Sequence, residues 1–114
     1  MKYLCLVYLD AEHWNACSDD VCADYVSRLA AGQRFVAGEP LHPTHTATTV
    51  RVRNGEVTVF DGPFAETREM LAGFYLVEAR DLNEAIQLAA GIPPAAHGSI
   101  EVRPVRELNA PSAT

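Results

Sequence analysis

A chain of 114 residues, 48% of them hydrophobic and 21% charged, is long enough for one domain with its own core and no covalent staples. Its net charge of −6, with no basic stripe or arm, excludes a nucleic-acid backbone as a partner. Three cysteines, Cys5, Cys17 and Cys22, make an odd count that argues against a disulfide framework and for a reduced compartment.

Residues 2–9 are apolar but stop at Asp10. That is too short to span a bilayer, and no small-residue cleavage site follows. A cytoplasmic protein with no membrane partner is expected. The same residues predict a strand apolar on both faces, with Leu4, Leu6 and Tyr8 on one and Tyr3, Cys5, Val7 and Leu9 on the other. Such a strand must be covered on both sides. His13, Cys17 and Cys22 match no closed zinc spacing, and His42 and His45 flank Pro43 in a loop. With no P-loop, dinucleotide fingerprint or HExxH, neither metal nor cofactor is expected.

A first helix is predicted from Ser18 to Ala31. Ser18 is its N-cap, Asp19 and Asp20 favour the positive end of the dipole, and Gly32 suits the C′ position. Val21, Tyr25 and Leu29, with Val26 beside them, form its expected buried stripe. A short extended piece at 35–38 leads to a loop holding Pro40 and Pro43. Residues 46–53 and 56–60 then predict a hairpin around Asn54-Gly55, the two-residue turn in which both positions tolerate positive φ. That turn fixes the register: Val52 faces Val57, Val50 faces Val59, Arg53 faces Glu56 and Arg51 faces Thr58.

Residues 71–78 predict another two-sided strand, followed by a helix from Leu82 to Ala90. Asp81 and Glu84 make a capping-box-like start, and Gly91 before Pro93-Pro94 a stop. Leu82, Ala85, Ile86 and Ala89 follow the helical period. A last strand at 99–105 places Ile100 and Val102 on one face and Glu101 and Arg103 on the other, ending the domain at 106. Residues 107–114 are an expected flexible tail.

Two helices can cover only one face of a sheet of this size, so a partner subunit, sheet to sheet, is the simplest cover for the other. The expectation is an α+β, ferredoxin-like domain with an antiparallel sheet, two helices on one face, in a homodimer.

The motif Asp61-Gly62-Pro63-Phe64-Ala65-Glu66-Thr67, flanked by Thr46-Ala47-Thr48-Thr49-Val50-Arg51 and Gly73-Phe74-Tyr75-Leu76, resembles the DGPF proteins of the YCII-related family. Asp81-Leu82-Asn83-Glu84-Ala85, Ile100-Glu101-Val102-Arg103-Pro104-Val105 and the opening Met1-Lys2-Tyr3-Leu4 extend the likeness along nearly the whole chain. The resemblance implies a bacterial dimeric α/β-barrel whose biochemical role is largely unassigned, with some relatives tied to extracytoplasmic-function sigma factors. Shorter relatives carry a His–Asp pair with the histidine on the first helix. Here residues 18–31 hold no histidine, and Cys22 lies near its place.

Asp61 is the leading site candidate, a carboxylate at a strand end beside Phe60 and Phe64. Partial desolvation would raise its pKa and suit it to proton transfer. The alternative is that it accepts backbone hydrogen bonds within its own turn. Glu66 is a second carboxylate, or a surface partner of Arg68. Arg51 can hold an anion bidentately or pair with Glu101 across a dimer. Glu101 and Arg103 line the second sheet face, and Tyr75 either offers its hydroxyl to that cleft or packs in the core. Continuing the hairpin register outward pairs Thr48 with Asp61 and brings His45 near the site. Two functions fit: a small cofactor-free enzyme or anion-binding protein with an acid/base site at an inter-subunit cleft, or a non-catalytic module that partners a sigma factor.

Overall fold

Strand β1 (Lys2–Leu9) is the spine of the molecule, and its alternation decides where everything else goes. Tyr3, Cys5, Val7 and Leu9 are buried while Leu4, Leu6 and Tyr8 are only half-buried, because successive side chains leave a strand on opposite faces. The computed structural model describes residues 1–108. After β1 come α1 (Asp19–Ala31), β2 (Phe35–Pro40), β3 (Thr48–Arg53), β4 (Glu56–Asp61), β5 (Met70–Glu78), α2 (Leu82–Ala90) and β6 (Ser99–Pro104). Single 3-10 turns lie at Thr44–Thr46 and Pro93–Ala96. Most of the expected tail, 109–114, lies outside the described residues.

The main sheet has the order β2-β5-β1-β6, all antiparallel. This is the ferredoxin-like arrangement expected from the element order. Both helices pack on one face. There Tyr25 and Leu29 of α1, Ala85 and Ala89 of α2, and Ile92 meet Tyr3, Cys5, Val7, Tyr75 and Val77 of the central strands. Among the described residues no polar or charged side chain is buried, so hydrophobic burial holds this layer together.

The helices bury only part of each predicted stripe: Tyr25 and Leu29 of α1 and Ala85 and Ala89 of α2 face the core as expected. Val21 is 50% exposed, and Leu82 and Ile86 are each 51% exposed. On α2 it is the Ala85–Ala89 half of the predicted set that faces the core. Two adjacent apolar rows compete for the interior, and the small one wins where another side chain must fit between helix and helix. That side chain is Tyr25, whose hydroxyl donates to the Leu88 carbonyl at 2.5 Å. Gly91 completes the fit, since a Cβ there would stand 2.6 Å from the Tyr25 hydroxyl.

Ser18 caps α1 through its side chain on the Val21 amide, and Asp81 caps α2 on the Glu84 amide, as the sequence predicts. Glu84 returns the contact to the Arg80 amide and pairs with both Arg34 and Arg80. The end of α1 differs from expectation. Gly32 has an ordinary φ of −85, and it is Gln33 that takes the left-handed conformation, φ 60. The Arg34 amide reaches back to the Leu29 carbonyl and the Gln33 amide to Ala30, the bonding of a Schellman end with glutamine in the glycine position. A side chain in that region costs energy that glycine avoids. Gln33→Gly is therefore expected to stabilise the fold by roughly 0.5–1 kcal/mol, read as a rise of a few degrees in Tm. A fall in Tm would show that the Gln33 side chain makes compensating contacts.

Candidate functional site

The predicted hairpin is present in its predicted register, with Val50 opposite Val59, Arg51 opposite Thr58, and Thr48 opposite Asp61. Asn54 (φ 52) and Gly55 (φ 76) form the positive-φ turn. β3 and β4 make a separate two-stranded sheet that stands away from the body as an arm. The chain's radius of gyration, 16.3 Å, accordingly exceeds the about 13 Å of a compact domain this size.

The structure distributes the sequence-predicted site residues over five places. Asp61 ends β4 at the root of the arm and is exposed. The turn after it is closed by others: the Gly62 amide donates to the Ala47 carbonyl at 2.7 Å, and the Thr49 hydroxyl donates to the Gly62 carbonyl at 2.8 Å. Arg51 lies over two aromatic rings, 5.7 Å from the Phe60 centroid and 5.3 Å from that of Phe64, a cation–π arrangement. His45 and Glu66 share a hollow of about 400 Å³ with Thr44, Pro63, Thr67 and Met70. Glu101 and Arg103 face the open side of the main sheet, 3.8 Å apart.

Tyr75 takes the second of its two expected placements. It does not share a cleft with Glu101 and Arg103, because β5 turns it to the helix side, where it is 8% exposed and tilted against Tyr25 with ring centroids 6.3 Å apart. A strand apolar on both faces does not announce which parity meets the helices. The pairing does: Tyr75 stands opposite Cys5, and Phe74 opposite Leu6.

On that helix side lies a cavity of about 610 Å³ between α1, β2 and β5. Its walls include Trp14, Cys17, Cys22, Val26, Leu41 and Tyr75. Gly38 and Gly73 also line it, and neither position has room for a side chain. A Cβ on Gly38 would meet the Phe74 carbonyl at 3.0 Å, and one on Gly73 the Glu39 carbonyl at 2.9 Å. Among the described residues the Tyr75 hydroxyl has no protein partner, and no sealed-off side-chain polar atom is left unpaired. The hydroxyl therefore opens onto the cavity. Burial, then the nearby Cys22, Tyr25 and Cys17, pushes its pKa up to about 12, so it stays a protonated donor. Burial, then Cys17 and Asp19, likewise pushes the Cys22 thiol up, which keeps it from being a ready nucleophile.

A constellation that sequence reasoning passed over lies just after β1. The Asp10 carboxylate accepts from the His13 backbone amide at 2.9 Å and faces His13 Nδ1 at 2.7 Å. The His13 ring stacks on His97 with centroids 5.7 Å apart. These hydrogen bonds, the side-chain one first, hold the Asp10 carboxyl below the usual carboxylate range. Donor atoms of Asp10, Glu12 and His13 lie within 4.8 Å of one another, the nearest approach to a metal-ligand set among the described residues. The signal available in sequence was the Asp-x-x-His spacing of a turn.

The YCII-related domain model matches residues 1–109. The chain belongs to the YCII-related family. An uncharacterised protein of Rhizobium meliloti (strain 1021) is 40% identical in an alignment of 114 positions that covers 92% of each chain. Among solved structures, this YCII-related chain is similar to the 5-chloro-2-hydroxyhydroquinone dehydrochlorinase (TftG) of Burkholderia phenoliruptrix AC1100 in complex with 2,5-dihydroxybenzoquinone. The TM-score is 0.55 at 14% identity, covering 93% of this chain and 94% of that one. At that identity the likeness bears on the fold, which is the one described above. No helix among the described residues is long and apolar enough to cross a membrane.

The Asp10–His13 pair gives a pH dependence of known sign. A carboxylate with a lowered folded pKa adds stability that is complete above the unfolded value and vanishes as pH falls through the folded one. Asp10→Asn is expected to lower Tm at neutral pH, with the gap to wild type closing in acid below the unfolded value of about 3.9. Melting curves across that range, followed by circular dichroism, check it; a gap independent of pH would remove the carboxylate from the account.

Proposed function

We propose that this YCII-related protein binds a small, flat, largely apolar molecule bearing a carbonyl or phenolic oxygen, in the cavity beneath α1. The observation that carries the reading is Tyr75, whose protonated hydroxyl opens onto that cavity without a protein partner. A cavity of this size with few polar groups is what a small-molecule site looks like, and the unpaired donor fixes where the ligand's oxygen goes. Trp14, Val26 and Leu41 supply apolar walls for a ring.

The same geometry supports a chemical role. A neutral phenol held in a poorly hydrated site polarises a carbonyl and favours negative charge on its oxygen. That assists proton transfer next to the carbonyl, the acid/base class of reaction expected from the sequence. The role moves from the arm to the cavity, because Asp61 is exposed at the root of β4 while Tyr75 is enclosed. The neighbour described above was solved with 2,5-dihydroxybenzoquinone, a small flat ring bearing carbonyl and hydroxyl oxygens, which makes it the natural first probe.

Isothermal titration of the wild-type chain with 2,5-dihydroxybenzoquinone is expected to show binding. Tyr75→Phe removes one hydrogen bond, worth about 0.5–1.5 kcal/mol, and is expected to weaken binding roughly two- to tenfold. Ala23→Phe, which fills the cavity from α1, is expected to abolish it. Equal affinity in wild type and both variants would place the ligand elsewhere and end this reading.

A further inference from the structure

Two of the three cysteines occupy matched positions at the start of α1. Ser18 is the N-cap: its backbone is extended (φ −76, ψ 156) and its side chain accepts from the Val21 amide. Its carbonyl accepts the helical bond from the Cys22 amide at 3.2 Å. Counting from that cap puts Cys17 at N′ and Cys22 at N4. Those are the two positions whose side chains pack on one another as a hydrophobic staple. A staple is ordinarily made of two apolar side chains; here both are thiols.

The surroundings agree with that placement. Both cysteines are half-buried and both line the cavity beneath α1. They lie near enough for Cys17 to be one of the groups that raise the Cys22 pKa. The third thiol, Cys5, is sealed in the core cluster. Ahead of Cys17 the chain runs through turns and bends rather than helix or strand. That backbone lets N′ close on N4 to the Cα separation under about 7 Å that a disulfide needs. An odd cysteine count excludes a fixed framework of bridges but leaves room for one reversible pair.

We propose that Cys17 and Cys22 are a redox pair, closed to a disulfide across the start of α1 by a small disulfide of the glutathione class. The exchange balances in two steps. Cys17 gives its proton to solvent, and its sulfur bonds to one sulfur of the incoming disulfide, whose S–S bond breaks and releases one thiolate. Cys22 then loses its proton, attacks Cys17 Sγ and expels the second thiolate. Both leaving thiolates take up protons, so the cysteines lose two electrons and the small disulfide becomes two thiols. Cys17 attacks first, because burial holds Cys22 in the thiol form. The second attack is intramolecular. Excess small thiol runs the same steps backwards, so the pair follows the surrounding thiol–disulfide ratio. The bridge draws two sulfurs of the cavity wall onto each other and fastens the turn that carries Trp14, another wall residue, to the helix.

The test equilibrates the chain in buffers of graded glutathione to glutathione disulfide ratio and quenches free thiols by alkylation. Cleavage before Asp10, Asp19, Asp20 and Asp24 then puts the three cysteines on separate peptides. Mass spectrometry is expected to find peptide 10–18 joined to peptide 20–23, increasingly so as the disulfide fraction rises, with Cys5 still reduced. Cys22→Ser is expected to stop at a single glutathione on Cys17. In urea, which melts α1 and with it the staple, bridging is expected to be at least about tenfold less favourable. Thiols that stay reduced in excess glutathione disulfide overturn the proposal. So do two separately glutathionylated cysteines, a bridge to Cys5, or a bridge equally favourable in urea. The urea comparison uses wild type alone, so it decides even if the variant does not fold.

Discussion

A four-stranded sheet has two faces, and this chain places both of its helices on the same one. The helix face is closed by Tyr25, Leu29, Ala85, Ala89 and Ile92 over Cys5, Val7 and Val77. The opposite face is left to Leu4, Leu6, Tyr8, Phe74 and Leu76, all half-buried. Apolar area left in water is a standing cost, and the YCII-related chain carries it on its central strands, where it cannot be removed without disturbing the core behind them. Parity ties the two faces together: each residue in β1 or β5 that serves one face fixes its neighbours on the other.

The cavity follows from the same layering. α1 is held to α2 by the Tyr25 hydroxyl on the Leu88 carbonyl, and to the sheet by Tyr25 and Leu29. Its first turns stand over Gly38 and Gly73, where no side chain rises from the sheet. Space therefore opens under the N-terminal half of the helix and closes under the other half. The site is a by-product of where large residues end and glycines begin, and Tyr75 stands at that boundary.

Much of this was legible in the sequence, wherever one local interaction decides the outcome. Asn54-Gly55 set the whole hairpin register, because its turn admits a single pairing. Ser18 and Asp81 marked helix starts, because each side chain satisfies an amide within one turn. Legibility failed where two local answers were equally good and packing chose between them. Leu82–Ile86 and Ala85–Ala89 both obey the helical period, and only Tyr25 filling the gap selects the alanines. Phe74 and Tyr75 are both plausible core residues of a two-sided strand, and only pairing with β1 assigns their faces. The Asp10–His13 contact was missed for a different reason, since a turn of irregular backbone has no period to read. The candidate site was therefore found in pieces: Tyr75 was named, but its surroundings depended on contacts between residues far apart in the chain.

The three cysteines divide the molecule by depth. Cys5 is fully buried at the centre of β1, where burial pushes its thiol up to about 11, while Cys17 and Cys22 are half-buried at the cavity. A thiol reagent thus meets two kinds of target in one chain. The cavity pair becomes accessible through local movement of α1 and its preceding loop, whereas Cys5 reacts only when the central strands separate, a global event. The slowest-labelling sulfur is a built-in gauge of whole-domain opening, and the two faster ones record the breathing of the cavity beneath α1.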